Sequence, residues 1–289
     1  MTICSKYNTS VNSRLIDYHI HTGYSKDGKG KIIEHCKAAV KNGFTEICFT
    51  DHHEWTSVAK GYYDYALRKD VWQQVIAEIE TARNDFPMLS VKLGCELGYY
   101  REYLSEIIRF TKQHPFDYII GSLHFLDDKV ISTPGILENE NPKRRIKWMR
   151  KYLSTIKEMV DNAYFDCLGH LDAVKKHTTT SDIEEYMDII LDIANSMKKN
   201  NIGFELNTSG WQHPVKECYP SVDILKILKD TGIRIVTIGS DSHSSETLGH
   251  GIKKGMEILY QVGFDSICTF SNRKPTWHPL ANFYINNRN

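Results

Sequence analysis

A parallel (β/α) barrel, folded as a single domain over residues 1–289, is the fold class this sequence predicts, and three observations carry it. Short β-rich runs alternate with longer amphipathic stretches, the pattern of repeated β-α units around a parallel sheet. Seven such runs are present, and 289 residues suit one barrel, a fold that commonly uses about 250. Polar residues able to bind metal fall at or just after the C-terminal ends of these runs, the face on which barrels carry their active sites. No low-complexity linker or internal repeat divides the chain.

Taken in order, strands are expected near Leu15 to His19, Glu46 to Thr50, Ser90 to Cys95, Tyr118 to Ser122, Asp166 to Gly169, Gly203 to Leu206 and Arg234 to Gly239. Between and after them, helices are expected at about 31–42, 64–85, 101–113, 142–162, 181–200, 221–231 and 249–262. Ser181-Asp182-Ile183-Glu184-Glu185 places a hydroxyl at a cap with an acid three residues later, the capping-box pattern. Asn42-Gly43, residues 201–203 and Thr231-Gly232 are turn signals that stop the preceding helices.

Lys plus Arg equals Asp plus Glu at 36 each, so no global positive field exists to hold a nucleic-acid backbone, and none is expected as a partner. Seven cysteines form no CxxC pair and several lie in apolar runs, which reads as reduced core thiols in a cytoplasmic protein. No stretch approaches 18 consecutive apolar residues and the N-terminus lacks a signal-peptide core, so no membrane association is expected.

His19-Ile20-His21 and Asp241-Ser242-His243 are ligand-Xaa-ligand pairs at opposite ends of the chain. On a strand, residues two apart point the same way, roughly 6.6 Å apart along it, so each pair can converge on one ion or on two neighbours. Imidazole and carboxylate are ligand types that Zn, Mn and Fe accept. His35 lies on a predicted helix and His114 at the end of one, and both read as structural.

The full series of motifs is Asp17-Tyr18-His19-Ile20-His21-Thr22, Ser25-Lys26-Asp27-Gly28, Thr50-Asp51-His52-His53, Gly94-Cys95-Glu96, Gly121-Ser122-Leu123-His124-Phe125, Gly169-His170-Leu171-Asp172, Glu205-Leu206-Asn207-Thr208-Ser209-Gly210 and Gly239-Ser240-Asp241-Ser242-His243. In this order it resembles the PHP (polymerase and histidinol phosphatase) superfamily, closest in style to the monofunctional histidinol-phosphate phosphatases. The resemblance implies a distorted (β/α)7 barrel with three divalent metal ions, Zn, Mn or Fe. It assigns His19, His21, Glu96 and Asp241 to the first ion, Asp27, His52 and His243 to the second, and Glu96, His124 and His170 to the third. Asp27 departs from the histidine often found at its position, and a carboxylate there is chemically acceptable.

The implied reaction is hydrolysis of a small phosphate monoester, L-histidinol phosphate in histidine biosynthesis. Such esters need accelerations of up to roughly 10²¹-fold. Cations about 3.5–4 Å apart meet that demand by clamping phosphoryl oxygens and activating water. A hydroxide between two metals is expected to attack phosphorus in line, with Glu96 bridging and Asp241 or His243 relaying a proton to the departing alkoxide. Candidate substrate contacts are His53, Lys175, Lys176, Asn207 and His213, with Tyr24, Trp55, Tyr99 and Tyr100 available as an aromatic wall or as rim packing. Asp17, Asp51 and Asp172 read as supporting carboxylates that orient an imidazole or cap backbone. Cys95 reads as packing, because nothing beside it supplies the base that a thiolate mechanism needs.

The resemblance strains at Gln212-His213, where the phosphatases often carry a basic pair. Neither residue reproduces the bidentate arginine fork. Retained metal chemistry on a different phosphate ester or on a nucleic-acid end is therefore the alternative, and a non-catalytic metal-binding module is a third reading.

Overall fold

The computed structural model describes residues 14–55, 71–127, 129–137, 139–178 and 183–281. The first apolar run folds as β1 (Leu15–Ile20), buried along its whole length as a strand covered on both faces must be. α1 (Ile32–Lys41) buries Ile32, His35, Cys36 and Ala39, the i, i+3, i+4, i+7 stripe of an amphipathic helix. Gly43, at φ 78°, then turns the chain into β2 (Phe44–Phe49), which the two-residue β3 (His52–His53) extends. α2 (Trp72–Asp85), β4 (Ser90–Gly98), α3 (Leu104–Gln113) and β5 (Tyr118–Ser122) follow. A short antiparallel hairpin comes next, β6 (Phe125–Leu126) with β7 (Lys129–Val130).

α4 (Pro142–Asn162) starts where the side chain of Asn141 accepts the Arg144 amide and Pro142 presets the first turn. After β8 (Cys167–Leu168), residues 183–186 make a 3-10 turn that leads into α5 (Met187–Asn200). Ser181 and Asp182 of the expected capping box, and residues 64–70 of the second expected helix, lie outside the described residues. Asn201 and Gly232 adopt left-handed conformations where α5 and α6 (Val222–Thr231) stop, at the turn signals that the sequence placed there. β9 (Gly203–Asn207), β10 (Val236–Gly239), α7 (Ile252–Val262) and an antiparallel pair, β11 (Ser266–Ser271) with β12 (Lys274–Pro279), complete the chain.

The parallel strands run in the order β1-β2-β4-β5-β8-β9-β10 and form a nearly closed seven-stranded barrel, with β3 paired on β4. The ends of that order meet through a parallel bridge between Ile20 and Ser242, where the His21 amide donates to the Ser242 carbonyl at 2.8 Å. Asp17 holds this seam, accepting from the Ser240 amide and hydroxyl and from the Gly249 amide.

The terminal β11–β12 pair closes the opposite end. Its contacts go to residues just before strands or at their start: Asn272 and Arg273 bond Asp117 and Asp166, while Phe270 packs on Tyr118 with ring centres 4.9 Å apart. Buried apolar residues from Leu15 to Leu280 form one continuous core. No helix among the described residues is long and apolar enough to cross a membrane.

Candidate metal centre

Strand alternation and the loops just past the strand ends deliver the polar side chains to one point. His19 lies on β1 and His21 directly after it; His52 is on β3, Glu96 on β4, and His124, His170, Asp241 and His243 follow β5, β8 and β10. Asp27 arrives on the loop after β1. Asp241 takes a positive φ of 53°, a conformation that aspartate tolerates better than most residues and that needs its surroundings to hold it. Its carboxylate is held by Asn207 and Ser209, which donate to Oδ2 at 3.3 and 3.2 Å.

The nine sequence-derived ligands converge, with Glu96 at the centre of the other eight. Around its Oε2 stand His19 Nε2 at 3.4 Å and His21 Nε2 at 3.6 Å. Asp241 Oδ1 is 3.5 and 3.3 Å from those two nitrogens, which are 3.0 Å apart. Four ligands at tetrahedral corners, each about 2.0–2.1 Å from an ion, stand roughly 3.3–3.4 Å from one another. These spacings therefore fit a tetrahedral shell.

A second group joins Asp27 Oδ2 to His243 Nε2 at 3.1 Å and to His52 Nε2 at 3.5 Å, and the imidazoles of His21, His52 and His243 also cluster. In the third, Glu96 Oε1 meets His170 Nε2 at 2.8 Å and His124 Nε2 at 3.0 Å. Glu96 thus gives one oxygen to each side of the cluster. Its Oε2, Asp27 Oδ1 and His52 Nδ1 are buried without a hydrogen-bond partner, although His52 Nδ1 lies 2.7 Å from Glu96 Oε2. Buried polar atoms converge this way at a cost unless a cation satisfies them. The donor set thus fits divalent metal.

The electrostatics agree. Burial alone would raise the Glu96 and Asp241 carboxyls, but the surrounding imidazoles hold both well below the usual range, with His124 foremost at Glu96 and His19 at Asp241. Burial, then the neighbouring imidazoles of His52 and His243, push His21 down to about 3, which leaves it neutral and able to donate a lone pair.

Two carboxylates that the sequence reading did not single out stand behind ligand imidazoles. Glu205 Oε1 accepts from His19 Nδ1 at 2.6 Å, and Glu54 Oε1 accepts from His124 Nδ1 at 2.5 Å, which turns each Nε2 toward the cluster. A signal existed for both: Glu205 interrupts an apolar strand, and Glu54 stands two residues after His52 in the sequence. Asp17, Asp51 and Asp172 instead cap backbone and hydroxyl groups.

A cavity of about 250 Å³ opens on the cluster, walled by Phe125, Ile131, Ala173 and Tyr219, with Lys176 and Ser209 at its polar side. Among the expected substrate contacts, Lys176 lines it. Lys175 does not, because its ammonium is bound by Asp172 at 2.9 Å and Glu217 at 2.7 Å in a separate cleft. His53 is buried away from the cluster, stacked on Phe110 at 4.0 Å and accepting from Trp72 Nε1. Asn207 serves Asp241 and Glu205 rather than the cavity. His213 is half-buried near Lys176, and burial chiefly lowers its imidazole to about 4, so it is neutral at pH 7. Tyr24, Tyr99 and Trp55 are rim packing, with the two phenols bound to Glu78 and Glu158. Cys95 is buried and its thiol pushed well up, mainly by that burial, which suits a packing residue.

A family model for the PHP domain matches residues 17–209, about two thirds of the chain. The histidinol-phosphatase of Lactococcus lactis is 28% identical over 266 residues, covering 90% of this chain and 96% of its own. A probable histidinol-phosphatase of Deinococcus radiodurans is 28% identical over 263 residues, covering 90% and 98%. The crystal structure of the Lactococcus lactis histidinol phosphate phosphatase, complexed with zinc, L-histidinol and phosphate, superposes with a TM-score of 0.80 at 27% identity. That superposition covers 90% of this chain and 98% of the other.

Proposed function

Because this chain belongs to the PHP domain family, we propose that it is a single-domain, metal-dependent phosphomonoesterase that converts L-histidinol phosphate and water to L-histidinol and phosphate. One observation carries the reading: Glu96 divides its two oxygens between two imidazole clusters at the floor of a cavity. His19, His21, Glu96 and Asp241 would hold one ion, Asp27, His52 and His243 a second, and Glu96, His124 and His170 a third. Bound there, divalent ions supply Lewis-acid stabilisation of phosphoryl oxygens and an activated water.

The remaining work belongs to side chains. Glu205 and Glu54 fix the tautomers of His19 and His124. Asn207 and Ser209 orient Asp241 for the ion it would hold with His19, His21 and Glu96. Lys176, the cation lining the cavity among the described residues, offsets phosphoryl charge as a point charge rather than a fork. Phe125, Ile131 and Tyr219 give the organic portion an apolar, partly aromatic wall that suits an imidazole ring.

The test is phosphate release from L-histidinol phosphate, measured after metal reconstitution beside sugar phosphates and nucleotides. A preference of at least tenfold for L-histidinol phosphate is expected. A second reading keeps the chemistry and changes the ester; it is favoured by Gln212, which is exposed, and by a cavity whose described cation is a lysine. Selectivity for another ester would select it. Glu96→Ala should abolish turnover and lower metal content together, and surviving turnover would remove Glu96 from the centre of the site.

A further inference from the structure

We infer that Glu54, given room by Gly98, is the positioning residue that fixes His124 for the ion it would share with Glu96 and His170. The inference rests on the trinuclear reading above and adds to it the dependence of Glu54 on Gly98. Glu54 lies in the loop after β3, and its side chain is 5% exposed. Oε1 accepts the His124 Nδ1 proton at 2.5 Å, and Oε2 is buried with no hydrogen-bond partner. A carboxylate so buried, whose one partner among the described residues is an imidazole, costs stability that an apolar side chain would not. Its service to His124 is what that cost maintains.

The location of Glu54 depends on an absent side chain. Gly98 ends β4, and a Cβ built there would stand 1.7 Å from Glu54 Oε2 and 2.4 Å from its carboxyl carbon. The bare backbone of Gly98 is therefore the floor against which the carboxylate rests while it faces His124. Because the obstacle is the far end of a flexible side chain, a methyl group at Gly98 would displace Glu54 without moving the strand.

The other imidazoles have different support. His19 is held by Glu205, and His243 Nδ1 donates to the Asp241 carbonyl at 3.0 Å. Loss of Glu54 therefore falls on one ion of the three. Removing an outer carboxylate behind a ligand imidazole typically weakens metal binding by roughly 10–100-fold.

The experiment measures zinc stoichiometry and binding isotherms for the full chain and for E54A, E54Q, G98A and the E54A/G98A double variant. Wild type should take up three ions. E54A and G98A should each weaken one of them by roughly 10–100-fold and leave two intact. E54Q keeps an oxygen acceptor for Nδ1–H and should recover most of the affinity. The double variant should match E54A alone, since both changes act on one contact. Wild-type isotherms for E54A or G98A, loss of all three ions together, or a double variant weaker than E54A overturns the role of Glu54 and leaves the trinuclear reading in place. A wild-type chain that binds fewer than three ions overturns both.

Discussion

Lys175 and Lys176 are adjacent in sequence and opposite in consequence. Lys176 lines the cavity, whereas Lys175 is bound to Asp172 and Glu217. A charge-assisted contact to phosphate contributes about 1.5–3 kcal/mol. Lys176→Met should therefore lower kcat/KM by roughly 10–100-fold, mostly through KM, with metal content unchanged. Lys175→Met should leave KM near wild type and lower the melting temperature, because buried Asp172 loses its cation. Steady-state kinetics and calorimetry on the two variants check the assignment; exchanged phenotypes would refute it. The same alternation explains what could be read at this scale. His52 and His53 are neighbours on a strand and so face opposite ways, one to the metals and one to Phe110. Composition around them cannot say which is which; the motif order could. Glu54 and Glu205 escaped because an acid not assigned to an ion, whether beside a motif like Glu54 or opening one like Glu205, resembles any solvated carboxylate until its burial is known.

The elements that mattered were the ones with the clearest periodicity. Tyr118–Ser122 and Pro142–Asn162 fall where the sequence placed them, and the other strands shift by a few residues at their ends. The β11–β12 pair was not legible, because Lys274–Pro279 carries two prolines, which argue against a strand unless it is an edge. An edge is what this plug of the barrel floor supplies. The seam between β1 and the segment after β10 was legible only as two ligand pairs, and its mechanics come from Asp17 and Gly239. Asp17→Ala would leave the buried amide and hydroxyl of Ser240 without their acceptor at about 1–3 kcal/mol each, while the Gly249 amide keeps the Ser240 hydroxyl oxygen, so roughly 3 kcal/mol of stability should be lost in denaturant titrations. Gly239→Ala acts on the site instead. Its Cβ would stand 2.4 Å from both Glu205 Oε1 and His19 Cβ, so metal analysis should find the His19 ion depleted while the ion between His124 and His170 remains. Equal depletion of both would place the effect on the whole seam.

At the scale of the molecule, the ligands come from β1, β3 and β4 and from the segments that follow β1, β5, β8 and β10, so what occupies the site bears on the closure of the barrel. Without metal, protons take the place of cations. Burial alone would deprotonate His124, but the Glu96 and Glu54 carboxylates outweigh it and raise its imidazole to about 10; His19 and His52 are raised in the same way, with Glu205 the main cause at His19 and Glu96 at His52. A histidine whose folded pKa is raised contributes stability that is complete below its ordinary value of 6.5 and is lost as pH climbs through the folded value. His21, pushed down to about 3, stays neutral across that interval and does not oppose the trend. The metal-stripped protein should therefore melt at progressively lower temperature between pH 6.5 and about 10. The loaded protein should be more stable throughout and should lack that slope, because ions occupy the places of the protons. Metal uptake at pH 7.5 should accordingly release more than one proton per chain, read as buffer-dependent heat in titration calorimetry. A release of no protons, or the same pH slope with and without metal, would mean that these imidazoles and carboxylates pair with one another in the working enzyme instead of with ions.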